Sequence, residues 1–194
     1  MFKVQLGHPK IIQGSFAEFE RVADVFAQLF RKEEESIYLF WNSIPLRFRY
    51  QQDLKKNFDN ILAMVWLVEK EDEGATQLKL DNQILEIKLE LRWRGDRLEV
   101  QPGFAEKSNI YTSYCQRLNR DSSLQLSRKG FIREWHTLIH QMVVSLEAGN
   151  IQIKDGTERR KLEMLQAVDK KIVGYGILYE RTSDGDATKP IIKH

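Results

Sequence analysis

Between Leu85 and Trp93 the chain alternates without interruption: Leu85, Ile87, Leu89, Leu91 and Trp93 are apolar, while Glu86, Lys88, Glu90 and Arg92 are charged. Successive side chains on a strand point to opposite faces, so this run has one dry face and one wet face. Such a strand fits an antiparallel sheet covered on one side better than a parallel sheet covered on both. Leu78 and Leu80 precede it across an Asp81-Asn82 turn, and Leu98 to Val100 follow it across Gly95-Asp96. Together they predict a three-stranded antiparallel meander over about residues 76–101.

Helical periodicity surrounds the meander. Ser15 and Glu18 have capping-box spacing, and Phe16, Phe19, Val22, Phe26, Leu29 and Phe30 recur behind them at helical intervals. Ser36 to Trp41 and Ile44 to Tyr50 read as a hairpin or one bent strand with Pro45 at an edge. A second helix opens at Asp53 and carries Leu54, Phe58, Ile61, Leu62, Val65 and Val68 on one face. Pro102-Gly103 is expected to break the chain, Ile110 to Leu118 to form a short helix, and Asn119 to Lys129 to be loop. Phe131, Ile132, Trp135, Leu138, Ile139, Met142, Val143 and Leu146 make the strongest helical stripe, closed by Gly149-Asn150. A short strand at Ile151 to Lys154, a helix capped by Thr157, and a last strand over Ile172 to Tyr179 complete the prediction.

Strands and helices thus come in clusters, which implies an α+β fold, an antiparallel sheet with helices packed on it. At 194 residues the chain suits one domain over 1–181 followed by a polar, frayed tail at 182–194, with a boundary near Pro102 as the alternative. Thirty basic against 28 acidic residues leave a net charge of only +2, so a charged partner must be met by a local patch. The lone Cys115 cannot form an internal disulfide, and MFKVQLGHPKII lacks the apolar core of a secretory signal, so the cytoplasm is the expected compartment. The longest apolar stretch near a helix, Ile61 to Val68, is too short to span a membrane.

His136 and His140 stand four apart, a spacing that lets two imidazoles share one metal ion. Thr137 occupies the general-base position of H-E-x-x-H, and no cysteine or histidine is near in sequence, so a third ligand would have to be a distant carboxylate. The pair reads as surface or boundary histidines, with no metal or other cofactor assigned. Cys115, between Tyr111 and Leu118 at helical spacing, reads as core packing and not as a nucleophile. Glu71, Asp72 and Glu73 look solvated, unsuited to acid catalysis but able to meet a basic partner. Gly174-x-Gly176 lacks the rest of a dinucleotide fingerprint, and Arg94-Gly95-Asp96 is explained as a turn. The segment from Arg117 to Arg133 gathers Arg117, Arg120, Arg128, Lys129 and Arg133 against Asp121 alone, the best basic patch in the chain. Of four tryptophans, Trp41, Trp93 and Trp135 are expected in the core, and Trp66 at the edge of its helix stripe as a candidate anchor.

No catalytic residue follows from these patterns. The expected role is a non-enzymatic, cytosolic protein-binding domain. The alternatives are a nucleic-acid or phosphate binder using the basic 117–133 segment, or an enzyme with no recognisable motif. The closing stretch Leu162-x-x-Leu165-x-x-Val168-Asp169-x-x-Ile172-x-x-Tyr175-Gly176-x-Leu178-Tyr179, together with the overall layout, resembles bacterial toxin-immunity proteins. That resemblance implies occlusion of a cognate toxin by a charged surface with a few aromatic anchors, and it transfers no functional residue. The acidic loop would then suit a basic toxin, and the Arg117 to Arg133 segment an acidic one.

Overall fold

The computed structural model describes residues 1–7, 9, 12, 18–30, 36–120, 123–149, 151–173, 178–180 and 189–191. Its strands are β1 (Phe2–Leu6), β2 (Ser36–Trp41), β3 (Ile44–Arg49), β4 (Glu73–Asp81), β5 (Leu85–Arg94), β6 (Arg97–Glu106), β7 (Leu124–Ser127), β8 (Leu178–Glu180) and β9 (Lys189–Ile191). Its helices are α1 (Val22–Leu29), α2 (Lys55–Lys70), α3 (Thr112–Leu118), α4 (Arg128–Ala148) and α5 (Gly156–Val173). The strands pair antiparallel in the orders β1-β2-β3, β4-β5-β6-β7 and β8-β9, and helices pack on them, so the fold is α+β.

β2 and β3 form a hairpin. Its two-residue turn, Asn42-Ser43, has φ of 46° and 69°, the left-handed pair that matches strand twist, and asparagine tolerates it well. Asn42 also binds the start of β1, donating its N–H to the Met1 carbonyl at 2.8 Å and accepting from the Met1 ammonium at 2.5 Å. β1 itself alternates, with Phe2 and Val4 buried and Lys3 and Gln5 exposed. Phe2 packs at a tilt of 37° against Phe131 and Trp135 of α4, with ring centroids 4.8 and 5.9 Å apart.

The meander is longer than its apolar pattern, running from Glu73 to Glu106. All five apolar residues of β5 are buried, each contributing roughly 1.5–3 kcal/mol. Pro102-Gly103 does not break the chain. β7 pairs with β6 only at Arg97 to Val100, so beyond that point β6 is an edge strand where the missing proline N–H removes no ladder bond. At the far end, Gly74 lies opposite Trp93, and a Cβ there would sit 2.6 Å from the indole. The indole covers the glycine and donates Nε1–H to the Glu71 carbonyl at 2.9 Å.

Several boundaries differ from the sequence reading. Residues 124–129 are not loop, because Leu124–Ser127 joins the sheet as β7 and α4 begins at Arg128. α1 begins only at Val22, because the Phe19 backbone is held in a parallel bridge, with Phe19 N–H to Gln152 O at 3.0 Å and Lys154 N–H to Phe19 O at 3.1 Å. Glu158, reaching from α5, accepts the Val22 N–H at 3.0 Å and does the work of a cap; Ser15 and Phe16 lie outside the described residues. The cap of α5 is Asp155 and not Thr157: its carboxylate accepts the N–H groups of Thr157 and Glu158 at 2.8 and 2.9 Å. Helix α5 continues through Ile172 to Val173, where the last strand was expected to begin, and Leu178–Glu180 is extended and pairs with Lys189–Ile191 from the predicted tail. Gly174, Tyr175 and Gly176 lie outside the described residues. The buried apolar side chains of both large sheets and all five helices belong to one cluster. No helix among the described residues is long and apolar enough to cross a membrane.

Candidate functional site

α4 and α5 pack side by side, and their contact carries an ionisable cluster. On α4, Ile132, His136, Ile139 and Val143 follow the inward helical spacing, so His136 occupies a core position. On α5, Leu162, Leu165, Asp169 and Ile172 do the same, which brings Asp169 to meet it. His136 Nε2 lies 3.0 Å from Asp169 Oδ1; His140 Nδ1 lies 3.1 Å from Oδ1 and 3.2 Å from Oδ2. The His136 side chain is 0% exposed, that of His140 19%, and that of Asp169 11%. The expectation of two surface or boundary histidines therefore fails for His136, because α5 covers it and supplies the acceptor that burial of a polar ring demands. The distant carboxylate required for a metal reading is Asp169, which only the packing of α5 on α4 brings to the two rings. Burial pushes its carboxyl upward, but hydrogen bonds and charge from His136 and His140 outweigh this and lower it from 3.8 to about 2.

Cys115 is buried and donates Sγ–H to the Phe104 carbonyl at 2.9 Å. Burial and the Glu106 carboxylate raise its thiol above the ordinary value, the opposite of what a nucleophile needs. Arg94-Gly95-Asp96 is a turn, with Gly95 at φ 59°, and it also prepares the start of α4. Asp96 accepts from Lys129 N–H at 3.0 Å and from the Ser127 hydroxyl at 2.9 Å, contacts that hold its carboxyl below the usual value.

The acidic and basic segments partly meet each other. Arg128 donates to the Glu71 carbonyl and pairs with Asp72 at 3.3 Å, and Arg94 pairs with Glu73 at 3.3 Å. Arg128 is thus directed at the acidic loop. Arg117 and Arg120 stand exposed at the end of α3, and Lys129 and Arg133 stand exposed on the first turns of α4. Trp66 is half-buried against the core, whereas Trp41, Trp93 and Trp135 are buried. The short helix expected from Ile110 begins only at Thr112, which leaves Ile110 outside its apolar stripe. It lies on the turn Asn109–Tyr111 before α3, and its side chain is 81% exposed. α3 is held down behind it by Leu118 in the core and by Tyr114, whose hydroxyl donates to the Pro45 carbonyl at 2.5 Å. A cavity of about 360 Å³ beside β3, lined by Arg47, Arg49, Asp53 and Asn82, also escaped the sequence reading.

No protein-family model matches the chain, and neither the curated proteins nor the solved structures include a significant match.

Proposed function

We propose that the chain acts in the cytoplasm by binding a protein partner, and that it does so as an immunity protein that covers the active site of a cognate toxin. The observation that carries this reading is Ile110, a large apolar side chain 81% exposed on a turn anchored to the core through α3. Arg117 and Arg120 stand exposed on the same short corner of the chain. An apolar anchor near exposed cations is the arrangement by which a desolvated centre supplies affinity and charge steers association. The corner suits an acidic surface. The opposite choice, a basic partner on Glu71 to Glu73, is less favoured because Arg128 and Arg94 already answer Asp72 and Glu73.

The test begins with the genes beside this one: a toxin domain encoded there is expected, its absence would contradict the reading, and its product is the partner to be tested with the full chain. Co-expression should protect host cells, and the two purified proteins should form a one-to-one complex. Ile110→Asp should weaken that complex at least about tenfold while leaving the thermal transition unchanged, since Ile110 contributes little to the core. Equal affinity of the Ile110→Asp variant would contradict the reading. So would tight, salt-sensitive binding to random duplex DNA in place of any protein.

A further inference from the structure

We propose that His136, His140 and Asp169 bind one divalent transition-metal ion, of which zinc best suits the donor set, between α4 and α5. Three donor atoms from three side chains lie within 4.8 Å of one another, and both rings converge on the same carboxylate oxygen. Zinc bonds to nitrogen and oxygen run about 2.0–2.1 Å, which places tetrahedral donors roughly 3.3 Å apart. The ring-to-carboxylate separations of 3.0 and 3.1 Å need to open by a few tenths of an ångström to reach that spacing, and the two ring nitrogens, within 4.8 Å of each other, need to settle at it by side-chain rotation. Two imidazoles exclude a preference for magnesium or calcium, which take oxygen ligands, and favour zinc or its first-row neighbours.

In the ion-free protein Asp169 is the acceptor, so His136 carries its proton on Nε2 and His140 carries its proton on Nδ1. Binding needs lone pairs at those same atoms, so the ion displaces the protons that face Asp169. His136 is closed off, while the partial exposure of His140 and Asp169 gives the ion a path inward and leaves room for a water as fourth ligand.

The experiment uses the full chain without a histidine tag, stripped with chelator and titrated with zinc by calorimetry. One zinc per chain is expected. His140→Gln and Asp169→Asn should each weaken binding at least about tenfold, the loss of one ligand from three. A second readout needs no variant: in the ring-nitrogen NMR spectrum of the wild-type protein, zinc should shift Nε2 of His136 and Nδ1 of His140. Failure of the wild-type chain to take up zinc would overturn the proposal, as would unchanged affinity in both variants or shifts confined to His8 and His194. Because Ile110 lies on a different element, none of these results bears on the partner-binding reading.

Discussion

At the scale of single residues, the structure turns on a few side chains whose partners lie far away in sequence. Asp169 is the clearest. Its carboxyl is lowered from 3.8 to about 2 in the folded chain, burial opposing and the two histidines prevailing. A carboxylate depressed by folding stabilises fully above its unfolded value, and that contribution is lost as pH falls through the folded one. Asp169→Asn should therefore cost about 2 kcal/mol at neutral pH. In the ion-free protein, the fall in stability below pH 4 should be shallower in the variant than in the wild type, as urea titrations at several pH values would show. Gly74 is the second case. A methyl group there meets the Trp93 indole at 2.6 Å, so Gly74→Ala should destabilise by about 1–3 kcal/mol, measured by the same method. The spacing of His136 and His140 was legible in the sequence and their partner was not, because a carboxylate 29 positions beyond His140 is named only by the packing of α5 on α4.

At the scale of elements, periodicity located most helices and strands and misjudged where they stop. The alternation of β5 and the apolar stripe of α4 were readable because each buries a face of fixed period. The continuation of β6 through Pro102 depends on the short reach of β7, and the late start of α1 depends on Phe19 pairing with the strand-like residues around Ile153. Neither cause is local. Glu158 makes such a dependence measurable, since it caps α1 from α5 and also pairs with Lys161, which in turn reaches Asp59 of α2 at 2.8 Å. Glu158→Ala should remove the cap and leave the Val22 N–H without its acceptor, at a cost of about 1–2 kcal/mol. In hydrogen exchange, the amides at the start of α1 should lose more protection than those of β5. Equal loss throughout would show that Glu158 has no local role at α1.

At the scale of the whole molecule, the α+β class followed from clustered strands and helices, while the division of the large strands into a three-stranded and a four-stranded sheet did not. The charged segments were visible as composition, but their mutual pairing through Arg128 was not, because it joins positions 56 residues apart. Among the described residues, the corner from Ile110 to Arg120 joins exposed cations to one highly exposed large apolar residue, while Lys129 and Arg133 stand exposed on α4. Hydrogen exchange of the full chain, free and bound to the protein partner that the proposed function requires, tests that corner most directly. Amides of residues 109–120 should gain protection on binding while those of the acidic loop at 71–73 should not. Protection confined to the acidic loop, or to neither segment, would contradict binding through this corner.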